Sequence, residues 1–229
     1  MRQTSLNIIA IGIFVMTMSS LLGPIFNISP FYIAIATFSV LVLATIDTLG
    51  WQGQGSMILV DLVAGTSSEK RDRIICHEAG HFLVAYLLEI PISGYALNAW
   101  EAFRQGQSSQ GGVRFDDQKL AAQLHSGIIS SQLVDRYCTV WMAGIAAENL
   151  VYGNAEGGAE DRTKITAILR QLKRPGESKL KQSWASLQAR NLLENHQSAY
   201  KALVKAMTER LSVSDCYQTI KEHLSVDQD

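Results

Sequence analysis

The sequence predicts a mainly α fold: an N-terminal transmembrane helical hairpin followed by a helical domain with at most a small β element. Three observations carry that expectation. Of the 20 Lys and Arg and 21 Asp and Glu in the 229 residues, only Arg2, Asp47 and Asp61 fall within the first 66. Two apolar runs lie inside that nearly uncharged stretch, split by glycine and proline. Beyond it, apolar residues recur at helical spacing almost to the C-terminus. The expected boundaries are 1–49 for the hairpin, 50–66 for a linker and 67–229 for the helical domain.

No charge occurs between Thr4 and Ile46, a pattern a bilayer favours and a small soluble domain cannot readily hide. The runs Leu6–Leu22 and Phe31–Ile46 are each slightly short of the ~20 residues that span ~30 Å of hydrocarbon, but the uncharged flanks restore the length. Gly23-Pro24, Asn27 and Ser29-Pro30 between them mark a turn. A competing reading takes Arg2 and Ile8–Met18 as a secretory signal; a single positive charge and no small-x-small cleavage site before Pro24 disfavour it. With two spans, Arg2 and the later cluster Lys70, Arg71 and Arg73 place both termini on the cytoplasmic-type side.

The linker carries Gly50, Gly53, Gly55 and Gly65 around Met57–Val63, which reads as one short helix or interfacial segment, with Trp51 as an interface anchor. The Gly50–Gly55 run lacks the Lys-Ser/Thr that would complete a phosphate loop. From Ser67 or Ser68 a helix runs towards Pro91, which ends it. Pro91–Trp100 reads as a strand, and the Gly-, Gln- and Ser-rich stretch Phe103–Asp117 as a mobile loop. Helices follow at about Gln118–Leu124, Ser130–Tyr152, Arg162–Leu172, Leu180–Leu193, Gln197–Leu211 and Asp215–Leu224.

A formal net charge of −1 gives no uniform field for phosphate backbones, so nucleic acid is not an expected partner. Cys76, Cys138 and Cys216 form no C-x-x-C pair and are too sparse for a disulfide framework, which fits a reducing compartment.

His77-Glu78-Ala79-Gly80-His81 is an H-E-x-x-H sequence within the predicted helix. Positions i and i+4 share a helical face, so both imidazoles can reach one zinc ion. Glu78 stands beside them as a base able to take a proton from a water that the metal activates. Gly80 weakens the helix by ~1 kcal/mol, which points to a steric reason such as close packing beside the metal. A catalytic zinc needs a third protein ligand. Val84 and Leu87 stand where an extended motif would place Gly and His, so the ligand comes from further along. Glu148, on an apolar helix, and Asp161, after a glycine turn at a helix start, are both candidates. Simpler roles remain open for each: Asp161 as an N-cap, Glu148 as a buried hydrogen-bonded acid. His125, His196 and His223 read as surface or helix-end residues, and Cys76, about 100° around the helix from His77, as packing.

Together, Cys76–His81, Met142–Glu148 and Gly157–Asp161 resemble the peptidase domain of the FtsH family, membrane-anchored ATP-dependent zinc endopeptidases, with the likeness running from about Ser67 to Leu224. The resemblance implies a helical zincin-like peptidase domain holding Zn through His77, His81 and Asp161, with Glu78 as the catalytic base and Glu148 supporting the ligands from behind. Ala143-Gly144-Ile145-Ala146-Ala147-Glu148-Asn149 departs from the family's usual Gly-Gly-Arg-x-Ala-Glu-Glu, losing an Arg and a Glu. Nothing matches G-x-x-x-x-G-K-[ST], and the space between hairpin and motif helix is too short for an ATPase domain, so this chain alone is expected not to hydrolyse ATP.

The expected function is a membrane-anchored zinc metalloendopeptidase acting on unfolded or membrane-associated proteins. Its peptidase domain is expected on the cytoplasmic, stromal or matrix-type side, in a homo- or hetero-oligomer with FtsH-type ATP-dependent proteases. The alternative is a non-catalytic scaffold or partner subunit in ATP-dependent proteolysis or membrane-complex assembly. An intramembrane-cleaving protease is disfavoured because Glu69-Lys70-Arg71-Asp72-Arg73 precedes the motif.

Overall fold

The structure, a computed structural model, describes residues 2–50, 55, 68–106, 111–127 and 129–226. They are mainly helical, with one small two-stranded sheet. Two compact units emerge: Met1–Ser67 with Asn98–Gly111, and Ser68–Leu97 with Gly112–Asp229.

In the first unit, α1 (Arg2–Leu22) and α2 (Pro30–Gly50) are each 21 residues long. At 1.5 Å per residue each reaches about 31 Å, enough to cross a hydrocarbon core. The turn between them is a 3₁₀ segment, Gly23–Phe26, with Pro24 at its start and Asn27 in the left-handed region at φ 56°. The Ile28 amide closes it by donating to the Gly23 carbonyl at 2.9 Å. A β-carbon on Gly23 would lie 2.9 Å from the Ile33 side chain, so glycine lets the turn fold against α2. The expected Met57–Val63 segment and Trp51 lie outside the described residues.

This unit also contains α4 (Ala99–Arg104), where the sequence suggested the end of a strand and the start of a loop. Asn98 is its N-cap: Oδ1 accepts from the Glu101 amide at 2.7 Å while Nδ2 donates to Glu101 Oε1 at 2.9 Å.

In the second unit, α3 (Ser68–Leu87) carries the H-E-x-x-H sequence. It ends on a left-handed Glu89 at φ 55°, with the Ile90 amide reaching back to the Ala85 carbonyl, just before Pro91. Strand β1 (Ile92–Ala96) pairs antiparallel with β2 (Gly112–Phe115), placing Tyr95 opposite Val113 and Ala96 opposite Gly112. Thus the stretch read as a mobile loop contains a strand: a run of only four residues carries almost no periodic signal, and its partner lies far away in sequence. Helices α5 (Gln118–Ser126), α6 (Ser131–Tyr152), α7 (Ala159–Gln171), α8 (Ser178–Asn195), α9 (Gln197–Thr208) and α10 (Val213–Val226) complete the unit.

α3 packs lengthwise on α6, which packs in turn on α8, while α9 covers the other side of α3 and α10 joins α9 to β1. The core between them includes Ile75, Phe82, Leu83, Tyr137, Val140, Ile165, Leu203 and Ile220. Gly80 is a point of close α3–α6 approach: a β-carbon there would stand 2.7 Å from both the Ala143 carbonyl oxygen and the Ala147 methyl. Its steric reason is therefore helix–helix contact. Tyr200 on α9 ties α3 down from the far side, its hydroxyl donating to the Cys76 carbonyl at 2.9 Å.

Candidate metal centre

α3 and α6 would ordinarily bury only apolar groups between them, yet His77, His81, Glu148 and Asp161 are all buried here. Such groups persist inside a protein only when each finds a partner.

His77 and His81 stand one helical turn apart, with Nε2 atoms 3.0 Å from each other. Asp161 reaches them from the first turn of α7, its Oδ2 lying 3.4 Å from each Nε2. Ligands of a tetrahedral ion with bonds of ~2.0–2.1 Å stand ~3.3–3.4 Å apart, so the carboxylate spacings match and the His–His spacing is slightly short. His77, His81 and Asp161 thus form a buried group able to hold a metal ion, and no other such group occurs among the described residues.

The outer ring nitrogens fix which atoms face the centre. His81 Nδ1 lies 2.7 Å from the Val140 carbonyl, which can only accept, so this nitrogen carries a proton and donates it. His77 Nδ1 donates to Glu148 Oε1 at 2.6 Å. Both Nε2 atoms are left turned towards Asp161, the orientation that neutral histidine ligands require.

Glu148 is itself held from behind. Its Oε2 accepts the Glu156 amide at 2.8 Å and Arg73 Nη1 at 3.4 Å, and its Oε1 also accepts the Gly157 amide at 3.2 Å. Burial alone would raise its pKa, but the His77 hydrogen bond and the two amides overcome that and bring it down to about 2. Burial likewise opposes ionisation of Asp161, and the charge on His81 with hydrogen bonds from both histidines outweighs it, holding the carboxyl well below its usual range. Lys164, one turn along α7, donates to Asp161 Oδ1 at 3.0 Å and pins the oxygen that faces away from the histidines.

Glycine makes the space. A β-carbon on Gly144 would sit 2.3 Å from His77 Nε2, and one on Gly157 would sit 2.7 Å from Glu148 Oε1. Gly158 is the N-cap of α7 at φ 83°, and a side chain there would collide with Ile145. Ile145 packs against that turn.

Glu78 lies on the adjacent face of α3, and its Oε2 accepts the Val113 amide of β2 at 2.8 Å. Of the other residues considered, Cys76 is buried with its sulfur 3.7 Å from the Tyr152 hydroxyl, His125 is exposed, and His223 binds the Thr219 carbonyl. Sequence reasoning missed Gly144, the Val140 carbonyl, Lys164 and the Val113 amide. Gly144 left no distinguishing trace, since it stands among the small residues Ala143, Ala146 and Ala147.

Fold and site together define a helical chain whose H-E-x-x-H helix builds a buried His–His–Asp centre. No family model matches the chain. It is similar to the ATP-dependent zinc metalloprotease FtsH 1 of Methylacidiphilum infernorum (isolate V4), at 36% identity over 107 residues. That stretch is 46% of this chain and 16% of the relative, so the likeness concerns an FtsH-related region and a small part of the larger protein.

Proposed function

We propose that the chain is a membrane-anchored zinc metalloendopeptidase that hydrolyses unfolded or membrane-associated proteins. The observation that carries this reading is the convergence of two oriented imidazoles of α3 and the Asp161 carboxylate of α7 at near-tetrahedral spacing, with a glutamate beside the imidazoles on α3. In it, His77, His81 and Asp161 hold the zinc, and α1 and α2 anchor the chain with residues 67–229 on the cytoplasmic, stromal or matrix-type side. The similarity to a zinc metalloprotease supports the choice of metal and reaction class.

A zinc ion supplies a Lewis acid that polarises the scissile carbonyl and lowers the pKa of a bound water towards ~7. Glu78 accepts the proton of the attacking water and returns it to the leaving amine. The Val113 amide holds one oxygen of Glu78 and so fixes the carboxylate's rotamer while its other oxygen handles the proton. Glu148 and the Val140 carbonyl keep both imidazoles aimed inwards. Unfolding force comes from a partner of the FtsH ATP-dependent type in a homo- or hetero-oligomer.

The test is metal content and degradation of an unfolded casein-like substrate by the full chain and by Glu78→Gln. Both are expected to hold one zinc, and the variant to lose at least ~10²-fold in rate. Zinc without Glu78-dependent cleavage would replace the peptidase with a scaffold.

A further inference from the structure

We propose that α4 is a contact with the bilayer surface, seating Trp100 and Phe103 in the interfacial layer of the membrane that the hairpin spans. This rests on the anchoring proposed above and adds a second, shallow attachment to it.

The two rings stand at i and i+3 on one face of α4 and stack with centroids 6.0 Å apart at 24°. They remain 55% and 40% exposed, while Ala99 and Ala102, flanking that face, are buried at 6% and 0%. The helix therefore turns its small residues inwards and its largest apolar ones outwards. In water that orientation wastes the apolar area; at a headgroup layer it is the favoured one, since tryptophan concentrates at membrane interfaces.

Three further features fit lipid as the occupant. The Asn98–Gly111 segment belongs to the same compact unit as α1 and α2, whose exposed apolar side chains make the same demand on their surroundings. Several end donors of α4 are already paired within the segment: Asn98 takes the Glu101 amide, and the Gln105 and Gly106 amides bond to carbonyls of the helix. Arg104 at the C-terminal end is exposed, within reach of a phosphate headgroup. Only Gly112 separates the end of this segment from Val113, whose amide holds Glu78. The proposal thus attaches to the membrane the chain segment leading directly into the strand that positions the base.

The test uses the full chain and its Trp100→Phe variant in phosphatidylcholine vesicles, with alkaline carbonate extraction as a separate check on anchoring. Subtracting the variant's fluorescence isolates Trp100 from Trp51, Trp141 and Trp184. Lipid brominated near the headgroup is expected to quench the isolated signal at least ~2-fold while iodide leaves it largely intact. In a chain that resists extraction, quenching by iodide and not by lipid would overturn the contact and leave the anchoring standing. A signal reached by neither quencher would mean that protein covers the rings, and would overturn it too. Loss of the chain on extraction would overturn the anchoring and, with it, the contact.

Discussion

The two ends of the chain apply one rule in opposite directions. In α1 and α2, Phe14 and Phe38 are 63% and 68% exposed and charged residues are scarce; around α3 and α6, Phe82 is fully buried and charges cover the outside. The helical unit turns its apolar groups inwards, as water requires, whereas the hairpin turns them outwards on two helices long and apolar enough to cross a membrane. The inward arrangement has an exception at its centre, where four ionisable residues are buried among apolar ones. What distinguishes them from a folding error is that every one meets a partner on another element: His77 and Glu148 each other, His81 the Val140 carbonyl, and Asp161 both imidazoles. The contrast therefore breaks most readily where a polar centre has least room.

That point is Gly144. With a β-carbon placed 2.3 Å from His77 Nε2, Gly144→Ala is expected to displace the imidazole, abolish metal binding and cost about 1–3 kcal/mol of stability from overpacking. Metal analysis and a thermal melt would show both. Wild-type metal content in Gly144→Ala would mean that His77 does not face the centre.

Next in size is a charge placed on the hairpin. Leu41 is 59% exposed near the middle of α2, and Leu41→Arg is expected to cost ~2.5–3.5 kcal/mol of insertion, about a 10²-fold shift towards the carbonate-soluble fraction. Leu187→Arg on α8 is the matched control. At 56% exposure in the helical unit it should change stability by no more than ~0.5 kcal/mol. Equal behaviour of the two variants would remove the contrast between the regions.

The contrast was largely legible in the sequence, because it is written in composition and period. The uncharged runs, the glycine-proline turn and the helix stopped by Pro91 need only neighbouring residues to be recognised. Two features resisted for different reasons. Strand β2 exists through pairing with β1, and four residues among Gly, Gln and Ser carry no local mark of that. α4 did have a mark, Asn98 with Glu101 three residues on, but the surrounding alternation suggested a strand instead. At the site, H-E-x-x-H is local and visible, whereas Glu148 and Asp161 look alike as buried carboxylates. Only the fold shows that one meets the Nδ1 side of His77 and the other the Nε2 side.

That division of labour predicts a smaller effect for Glu148→Gln. The amide keeps the volume but offers one acceptor oxygen where three nitrogens of His77, Glu156 and Gly157 and the Arg73 guanidinium converge. Metal affinity is expected to fall ~10–100-fold with the zinc stoichiometry still reachable at excess metal. Chelator competition measures it, and complete loss of binding would instead mark Glu148 as a ligand.

The smallest effect is graded by pH and tests how the dry centre stays neutralised without metal. Burial pushes the His77 pKa down, but hydrogen bonds to Asp161 and Glu148 and the charges of Glu78 and Asp161 overcome it and raise it from 6.5 to about 10. The metal-free chain therefore keeps a proton on His77, and the folded pKa lies above the unfolded one. Its stabilising contribution is complete below about 6.5 and is lost as pH rises through about 10. Glu148, held at about 2, and Asp161, lower still, remain anionic throughout that window. The His77 proton must then leave when a metal enters, so affinity should rise at least tenfold per pH unit between ~6.5 and ~8.5. A flat profile would mean that His77 Nε2 carries no proton in the metal-free centre, its Nδ1 proton staying on Glu148's side with or without metal.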